Sequence, residues 1–586
     1  PYWIAYRNLR LNNKKRYMAS AGLSYQILDW LNVAGRVRID NTHSEYEGKL
    51  YASSSNTLTD GSSQGHYTVN NGQYSQTYAD VLVNINKRIQ DFTIVANIGA
   101  SYSGVTSKEL GYAGPIRETG IPNLFNVYDL DNAKKRATQV GWREATESIF
   151  ASAEVGWKSM LYLTVTGRND WASQLTHSPQ ASFFYPSVGL SAVITEMLKL
   201  PDWVDYLKVR GSFSSVGNPY PRFLTYPTYS YDANKQDWKS QTNYPIGKLY
   251  PERTDSWEVG LDATLFKDFK LSGSFYYANT YNQTFDPRLP VSSGYDKLYV
   301  QTGYVRNYGF EAMLSYGHRW GDFGWDSSFT FSANKNEIVE LVKDYVHPET
   351  GKTYNVDKLE LKTDEGRGFG KAKFILKEGG TLGDLYTHAD LKRDINGNIL
   401  IDDSGNVTAI DNAGDIKLGS VLPKANLAWN NSFSYKGINA GFLLTARLGG
   451  IVYSATQAYL DLYGVSETSA AARDAGGVWI NGRSHVNPQS FYEVVASQSG
   501  LPTYYTYSAT NLRLQEAHIG YTVPRRWLGN VCDINVSLVG RNLWMIYCKA
   551  PFDPEAVATT NNYYQGIDYF MMPSTRNIGF NIKINF

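Results

Sequence analysis

Along its whole length the chain alternates between very short and very long connections, and no other feature limits its possible folds so sharply. Arg16 to Tyr46 reads as two alternating segments joined at Leu28 to Leu31, a hairpin with one tight end. Short turns recur at Ile89 to Phe92, Trp157 to Leu161, Glu196 to Asp205, Phe266 to Phe269, Arg319 to Phe323, Tyr435 to Ile438 and Pro524 to Val531. Long polar segments separate them, near Glu47 to Gln73, Asn218 to Glu252, Tyr281 to Gln301, Glu340 to Leu418, Tyr453 to Tyr507 and Ile546 to Ser574. A soluble sandwich carries loops of similar length at both ends. Tight turns at one end and long loops at the other describe strands that cross a membrane as a barrel.

Side-chain parity agrees. In LYLTVTGRND, Leu161, Leu163 and Val165 share one face and Tyr162, Thr164, Thr166 and Arg168 the other, because successive strand side chains point to opposite sides. Cys532, Ile534, Val536 and Leu538 oppose Asp533, Asn535, Ser537 and Arg541 in the same way. The closing stretch STRNIGFNIKINF sets Ile578, Phe580, Ile582, Ile584 and Phe586 against Asn577, Gly579, Asn581, Lys583 and Asn585. An edge strand of a soluble β-protein shows this alternation too. A chain that stops on an aromatic resembles the terminal strand of a bacterial outer-membrane barrel, and that resemblance implies that Phe586 belongs to the assembly signal.

Composition narrows the class. No apolar run approaches the roughly 18 residues of a membrane-spanning helix. Aromatics reach 14%, with 45 Tyr and 14 Trp, as interfacial girdles on many strands require, although a sugar-binding surface would use them as well. A net charge of +1 and the lack of a basic run give no footprint for nucleic acid. Two cysteines, Cys532 and Cys548, make no disulfide framework or metal spacing. The opening PYWIAYRNLRLNNKKRY is polar and basic, unlike a secretory signal. About seventeen strands can be counted, an odd number where single-chain bacterial barrels are even. Since the last strand runs down to the periplasm, stepping back through the turns makes the first strand run down as well. The expectation is an all-β, antiparallel transmembrane barrel whose N-terminal part lies outside this chain.

Several stretches together carry a more specific likeness: GLSYQILDWLNVAGRVRID, LYLTVTGRNDWAS with FFYPSVGLSAVITEM, DYLKVRGSFSSVGNP, PERTDSWEVGLDATLF, and GRNLW with FDPE. In this order they resemble the barrel of the SusC/RagA family of TonB-dependent transporters. The resemblance covers nearly the whole chain, so residues 1–586 are expected to be the C-terminal portion of such a barrel with long extracellular loops. It implies a barrel of about 22 strands, whose plug is absent here together with the TonB-contacting segment. It further implies residence in the bacterial outer membrane, a SusD-like surface lipoprotein as partner, and TonB acting through the absent N-terminal region. The cargo it implies is a large nutrient, an oligosaccharide or an oligopeptide, taken up by active import. A passive porin, or a secreted β-rich glycan-binding or adhesin module, stands as the alternative.

Few residues suggest chemistry. There is no HExxH, no GxSxG and no phosphate loop, so neither an enzyme nor a cofactor is expected. The segment LKRDINGNILIDDSGN sets Asp394, Asn396 and Asn398 at alternate positions, as a calcium loop does. Ile399 and Gly405 stand where such a loop needs Gly and Glu, so turns are expected and no metal site. Asn169, Asp170 and Trp171, with Asn218 and Tyr220, are expected at the extracellular mouth as substrate contacts. An aromatic beside amides suits a sugar ring, and it equally suits an interfacial girdle.

Overall fold

Strands form where the alternating segments predict them, and they also take residues 47–51 and 65–73, expected as part of a long loop, because the two runs pair with each other from Glu47↔Val69 to Tyr51↔Gly65. The computed structural model describes residues 5–224, 229–232, 237–239, 249–285, 292, 294–295, 299–346, 351, 353–361, 370–482, 484–559 and 565–585. Phe586 lies outside the described residues. Seventeen strands join one sheet: β1 (Asn8–Leu28), β2 (Leu31–Tyr51), β3 (Gly65–Ile89), β4 (Phe92–Pro115), β5 (Arg136–Trp157), β6 (Leu161–Ala172), β7 (Ser182–Val193), β8 (Val204–Asn218), β9 (Glu252–Leu265), β10 (Phe269–Phe285), β11 (Val300–Trp320), β12 (Phe323–Glu340), β13 (Ala425–Tyr435), β14 (Ile438–Leu448), β15 (Asn511–Val523), β16 (Asp533–Cys548) and β17 (Asn577–Asn585). Every short turn read from the sequence joins two of these strands.

The chain divides into two compact units. The first comprises Pro1–Gly189, Ser214–Arg253 and Pro290–Leu298, and the second Leu190–Phe213, Thr254–Leu289 and Tyr299–Phe586.

In the first unit, β1 to β6 pair antiparallel with their sequence neighbours, and the β3–β4 register runs unbroken from His66↔Pro115 to Ile89↔Phe92. One face carries Leu23, Val37, Val81, Ile98, Ile149 and Val165, all exposed, as side chains bathed in lipid must be. The other face carries Arg36, Asp80, Ser101, Ser148 and Asp170, which stand opposite one another in turn across five strands. A strand needs only about 9–11 residues to cross a bilayer. At 21 to 25 residues, β1 to β5 run well beyond it. The apolar row on β4 accordingly ends at Tyr102 and gives way to Thr106 and Lys108.

In the second unit the same sorting runs across Leu271, Leu314, Phe329, Trp429 and Leu444, which stand opposite one another in turn. Rings gather near the short turns. Trp203 stacks on Phe266 at 5.6 Å, Phe269 meets Tyr316 at 4.7 Å, and Tyr316 meets Trp325 at 5.2 Å. Such a belt of aromatics marks a membrane–water boundary. β17 pairs with β16 from Asn577↔Arg541 to Asn585↔Asp533, and among the described residues no strand pairs its other edge; its residues are exposed on both faces.

The wall is a single layer, so the hydrophobic core lies elsewhere. It is built by the long connections of the second unit, where Phe374, Leu376, Leu385, Tyr453, Phe491, Val495 and Ile567 pack with Ile338 and Leu341 at the end of β12. Three helices belong to it: α1 (Ala455–Leu462), α2 (Glu467–Asp474) and α3 (Pro488–Val495). Residues 453–507, expected as a polar loop, carry these helices instead. Capping explains the helices: Ser454 accepts from the Gln457 amide, Ser466 from the Ser469 amide, and Asn487 from the Gln489 and Ser490 amides ahead of Pro488 at the first turn.

Candidate functional site

Parity separates the expected contact residues at the end of β6. Asp170 lies on the polar face and is buried. Its carboxylate accepts from Arg168 Nε at 2.7 Å and from the Tyr185 hydroxyl, while Arg168 Nη2 donates to Ser148 Oγ at 2.8 Å. Asn169 and Trp171 take the opposite parity, opposite Ile149 and Glu147 on the apolar side, with Trp171 exposed there. That placement suits a girdle ring.

Asn218 closes β8 and is exposed. Tyr220 is only 2% exposed, and among the described residues its buried hydroxyl has no hydrogen-bond partner. Gly217 is fixed by a close approach, since a Cβ there would stand 2.5 Å from the Phe183 ring. Phe183 in turn stacks on Tyr185 at 5.6 Å, so the RGSFSSVGNP and FFYP stretches meet through these rings.

A cluster the sequence reading did not find stands beyond the lipid band on the polar face of the first unit. Tyr74 and Trp142 approach edge to face at 6.3 Å, and the Arg222 guanidinium lies 3.7 Å over the Trp142 ring while pairing with Glu144. Register could have found half of it, because Tyr74 and Trp142 both stand opposite Ser107. Arg222 comes from a long connection and carries no local signal. An aromatic face beside a planar cation presents apolar area and directed donors together, as recognition of a polar oligomer requires.

The second unit carries a concavity of about 830 Å³ on its polar face, bordered by Arg210, Glu311, Asn426, Arg447, Gln515 and Glu555. Arg210 is held by Asp262 at 2.6 Å and Glu258 at 3.4 Å. Arg447 donates to the Val421 carbonyl at 2.8 Å, and its buried Nε has no partner among the described residues.

Above it, FDPE closes the last loop onto β15. Buried Arg513 donates to Asp553 at 2.8 and 3.2 Å and pairs with Glu555 at 3.1 Å. Burial pushes the Asp553 carboxyl up, but hydrogen bonds from Arg513 and the Glu555 amide outweigh it and hold the group below the usual carboxylate range. Ser454 Oγ donates to Asp568 at 2.5 Å, tying the same loop to α1.

The calcium-like segment folds as two successive turns of one design. Asp394 accepts from the amides of Asn396 and Asn398, both at 2.8 Å, and Asp402 from those of Ser404 and Asn406 at 2.9 and 2.8 Å. Gly397 and Gly405 supply the positive φ. Each carboxylate is thus turned onto its own backbone.

Comparison with known proteins brings these features together. The family model described as TonB dependent receptor-like, beta-barrel matches residues 1–543. TonB-dependent receptor P3 of Formosa agariphila is 23% identical, covering 100% of this chain and 59% of its own length. The TonB-dependent receptor SusC of Bacteroides thetaiotaomicron is 24% identical, covering 68% of this chain and 40% of its own. Among solved structures, the RagAB peptide importer in the closed-closed state superposes with a TM-score of 0.74 at 17% identity, over 98% of this chain and 63% of that one. That likeness shows the fold. The chain spans 40% to 59% of the length of these two curated relatives.

Proposed function

Because the chain belongs to the TonB-dependent receptor-like β-barrel family, with SusC- and RagA-type relatives, we propose that it forms the wall and loops of an outer-membrane importer for a large nutrient. The cargo is an oligosaccharide or an oligopeptide; the RagAB relative is a peptide importer. Import is energised by TonB through parts of the protein beyond this chain. A SusD-like surface lipoprotein closes over the extracellular end. One observation carries this reading: the long connections of the second unit fold around a core of their own. A passive pore has no need of a rigid loop domain, whereas a lid needs a firm seat.

The wall contributes fixed polar groups. Arg36, Asp80 and Asp170 on the polar face are each held by a partner, so they guide a passing hydroxyl or amide without rearranging. Tyr74, Trp142 and Arg222 form the first contact beyond the lipid band, and Asp170, Asn218 and Tyr220 the following ones.

The test uses the full-length gene in cells lacking it. Uptake of labelled oligosaccharide and oligopeptide pools should return with the intact gene and should fail when TonB or the lipoprotein is removed. Import that continues without TonB would sink the proposal in favour of a passive pore.

A further inference from the structure

Glycines gather on the polar face of the first unit, beyond the lipid band. Gly48 on β2, Gly72 on β3 and Gly111 on β4 are interior to their strands, none has a positive φ, and the β2–β3 and β3–β4 registers run past them unbroken. Glycine in such a place weakens a strand and marks a point where something comes close to the backbone. Each is overlain by a polar side chain. A Cβ on Gly72 would stand 2.5 Å from Ser44 Oγ, one on Gly48 3.1 Å from the Tyr46 hydroxyl, and one on Gly111 would overlap Asn70 Oδ1. The result is a floor of backbone with hydroxyls and an amide laid across it.

Register sets out what surrounds Gly72. Ser44 on β2 and Glu109 on β4 stand opposite it, one strand spacing of about 4.8 Å to either side. Asn70 and Tyr74 share its face on β3 itself, about 7 Å away along the strand in each direction. A depression of about 390 Å³ lies over them, near the small end of the roughly 300–1,000 Å³ of ligand sites. Tyr74 is 41% exposed; Trp142 is set against it edge to face at 6.3 Å, and the Arg222 guanidinium lies over Trp142 in turn. Glu109 is exposed and has no cation partner among the described residues. Lys14 borders the depression next beyond Ser44 and offsets that charge at longer range.

These groups select a chemistry. An ionised carboxylate only accepts, so it takes donors such as hydroxyls, and its two oxygens can take two of them. The Ser44 hydroxyl and the Asn70 amide both donate and accept. The Tyr74 ring adds an apolar face. An extended peptide is caught differently, through backbone hydrogen bonds at an open sheet edge, and here the backbones of β2, β3 and β4 are paired with one another. An anionic ligand would meet Glu109 directly.

We propose that this floor is a subsite for a neutral saccharide, one sugar ring lying over Gly72 with a C–H face against Tyr74 and its hydroxyls shared among Ser44, Asn70 and Glu109. The subsite deepens the import reading, on which it rests, by naming the class of cargo.

The test takes the full-length protein in detergent and titrates it by calorimetry with neutral oligosaccharides of glucose, mannose, galactose and xylose, with oligogalacturonate and with an uncharged Gly-Ser peptide. At least one neutral series should bind, and more tightly than the charged sugar or the peptide. Glu109→Gln, which keeps the volume and loses the charged acceptor, should weaken that binding by about tenfold or more, and Tyr74→Ala by about fivefold. Gly72→Val should abolish it. Val suits a strand and asks of Ser44 a turn of its hydroxyl, so heat-modifiable migration of Gly72→Val should match the parent. Asn71→Val, on the opposite face of the same strand, should change nothing. Failure of every neutral series to bind, tighter binding of the charged sugar or the peptide, or undiminished affinity in Glu109→Gln or Gly72→Val overturns the proposal. If Gly72→Val does not assemble, Glu109→Gln and Tyr74→Ala must each lose affinity, and retention in either overturns it equally. Uptake in cells separates the subsite from the import reading. TonB-dependent uptake of peptide alone overturns the subsite and leaves import standing, whereas sugar that binds here but enters without TonB overturns active import and leaves the subsite standing.

Discussion

Arg513 donates two hydrogen bonds to Asp553, forty residues away, and both side chains are almost fully withdrawn from water. The last long loop is thereby pinned to β15. Removing one partner of such a buried pair leaves a bare charge and costs about 3–5 kcal/mol. Arg513→Ala should therefore free the loop, and limited proteolysis should cut between residues 549 and 576 while the wall stays folded. A variant as protease-resistant as the parent would refute the clamp.

The pH dependence of that clamp has a definite sign. Because the folded Asp553 carboxyl is held below its ordinary value, its contribution is fully present above the unfolded pKa of about 3.9 and fades as pH falls through the lower folded value. Protection of the loop, followed by hydrogen exchange or proteolysis, should stay flat from neutral pH down to about pH 4 and fall only below it.

On β6, Leu163 faces lipid and Thr164 the polar side. Leu163→Arg should cost about 2–4 kcal/mol if it sits near the bilayer midplane, whereas Thr164→Arg should be nearly neutral. Folding titrations into vesicles measure both. Equal penalties would show that the two faces are wrongly assigned.

Gly309 on β11 has no room for a methyl group: a Cβ would lie 2.3 Å from the Ala333 carbonyl oxygen and 2.5 Å from the Tyr276 hydroxyl. The carbonyl belongs to the facing strand, so relief needs a shift of backbone. Gly309→Ala should destabilise by about 1–3 kcal/mol, seen as a lower temperature for loss of heat-modifiable migration.

Ser454 serves twice, capping α1 and donating to the buried Asp568. Ser454→Ala should remove about 1 kcal/mol of capping and leave a buried carboxylate short of a donor, at about 1–3 kcal/mol more. Amide exchange should quicken in α1 and near Asp568 together. Quickening confined to α1 would mean that the link between the two loops carries no weight.

Most of the wall was legible beforehand because strand parity is a local property. Leu161, Leu163 and Val165 declare their face within five residues, and the tight turns follow from chain reversal between such runs. The site was less legible. Asn169, Asp170 and Trp171 are adjacent in sequence and were grouped as one contact set, yet the same parity rule sends Asp170 to one face and its neighbours to the other. The helices at 455–495 were hidden because their apolar residues serve a core assembled from distant segments, so no one stretch looks amphipathic over a useful length. Their caps were visible: Ser454 with Gln457 three residues on, and Asn487 before Pro488, are ordinary helix-start signals. The Arg222–Trp142 stack and the Arg513–Asp553 pair join residues far apart in sequence, which periodicity cannot bring together.

A wall one layer thick whose core, among the described residues, lies with the loops means that this protein answers to two solvents. Ile578, Phe580 and their like on the other strands gain their stability from whatever amphiphile surrounds them, whereas Phe374, Tyr453 and Val495 gain theirs by leaving water for one another. Exchanging one detergent for another should move the melting of the wall and leave that of the loop domain in place, while urea should act in the opposite sense. Natural variation has the same freedom, since the loop surface can be recut without retuning the part that meets the membrane.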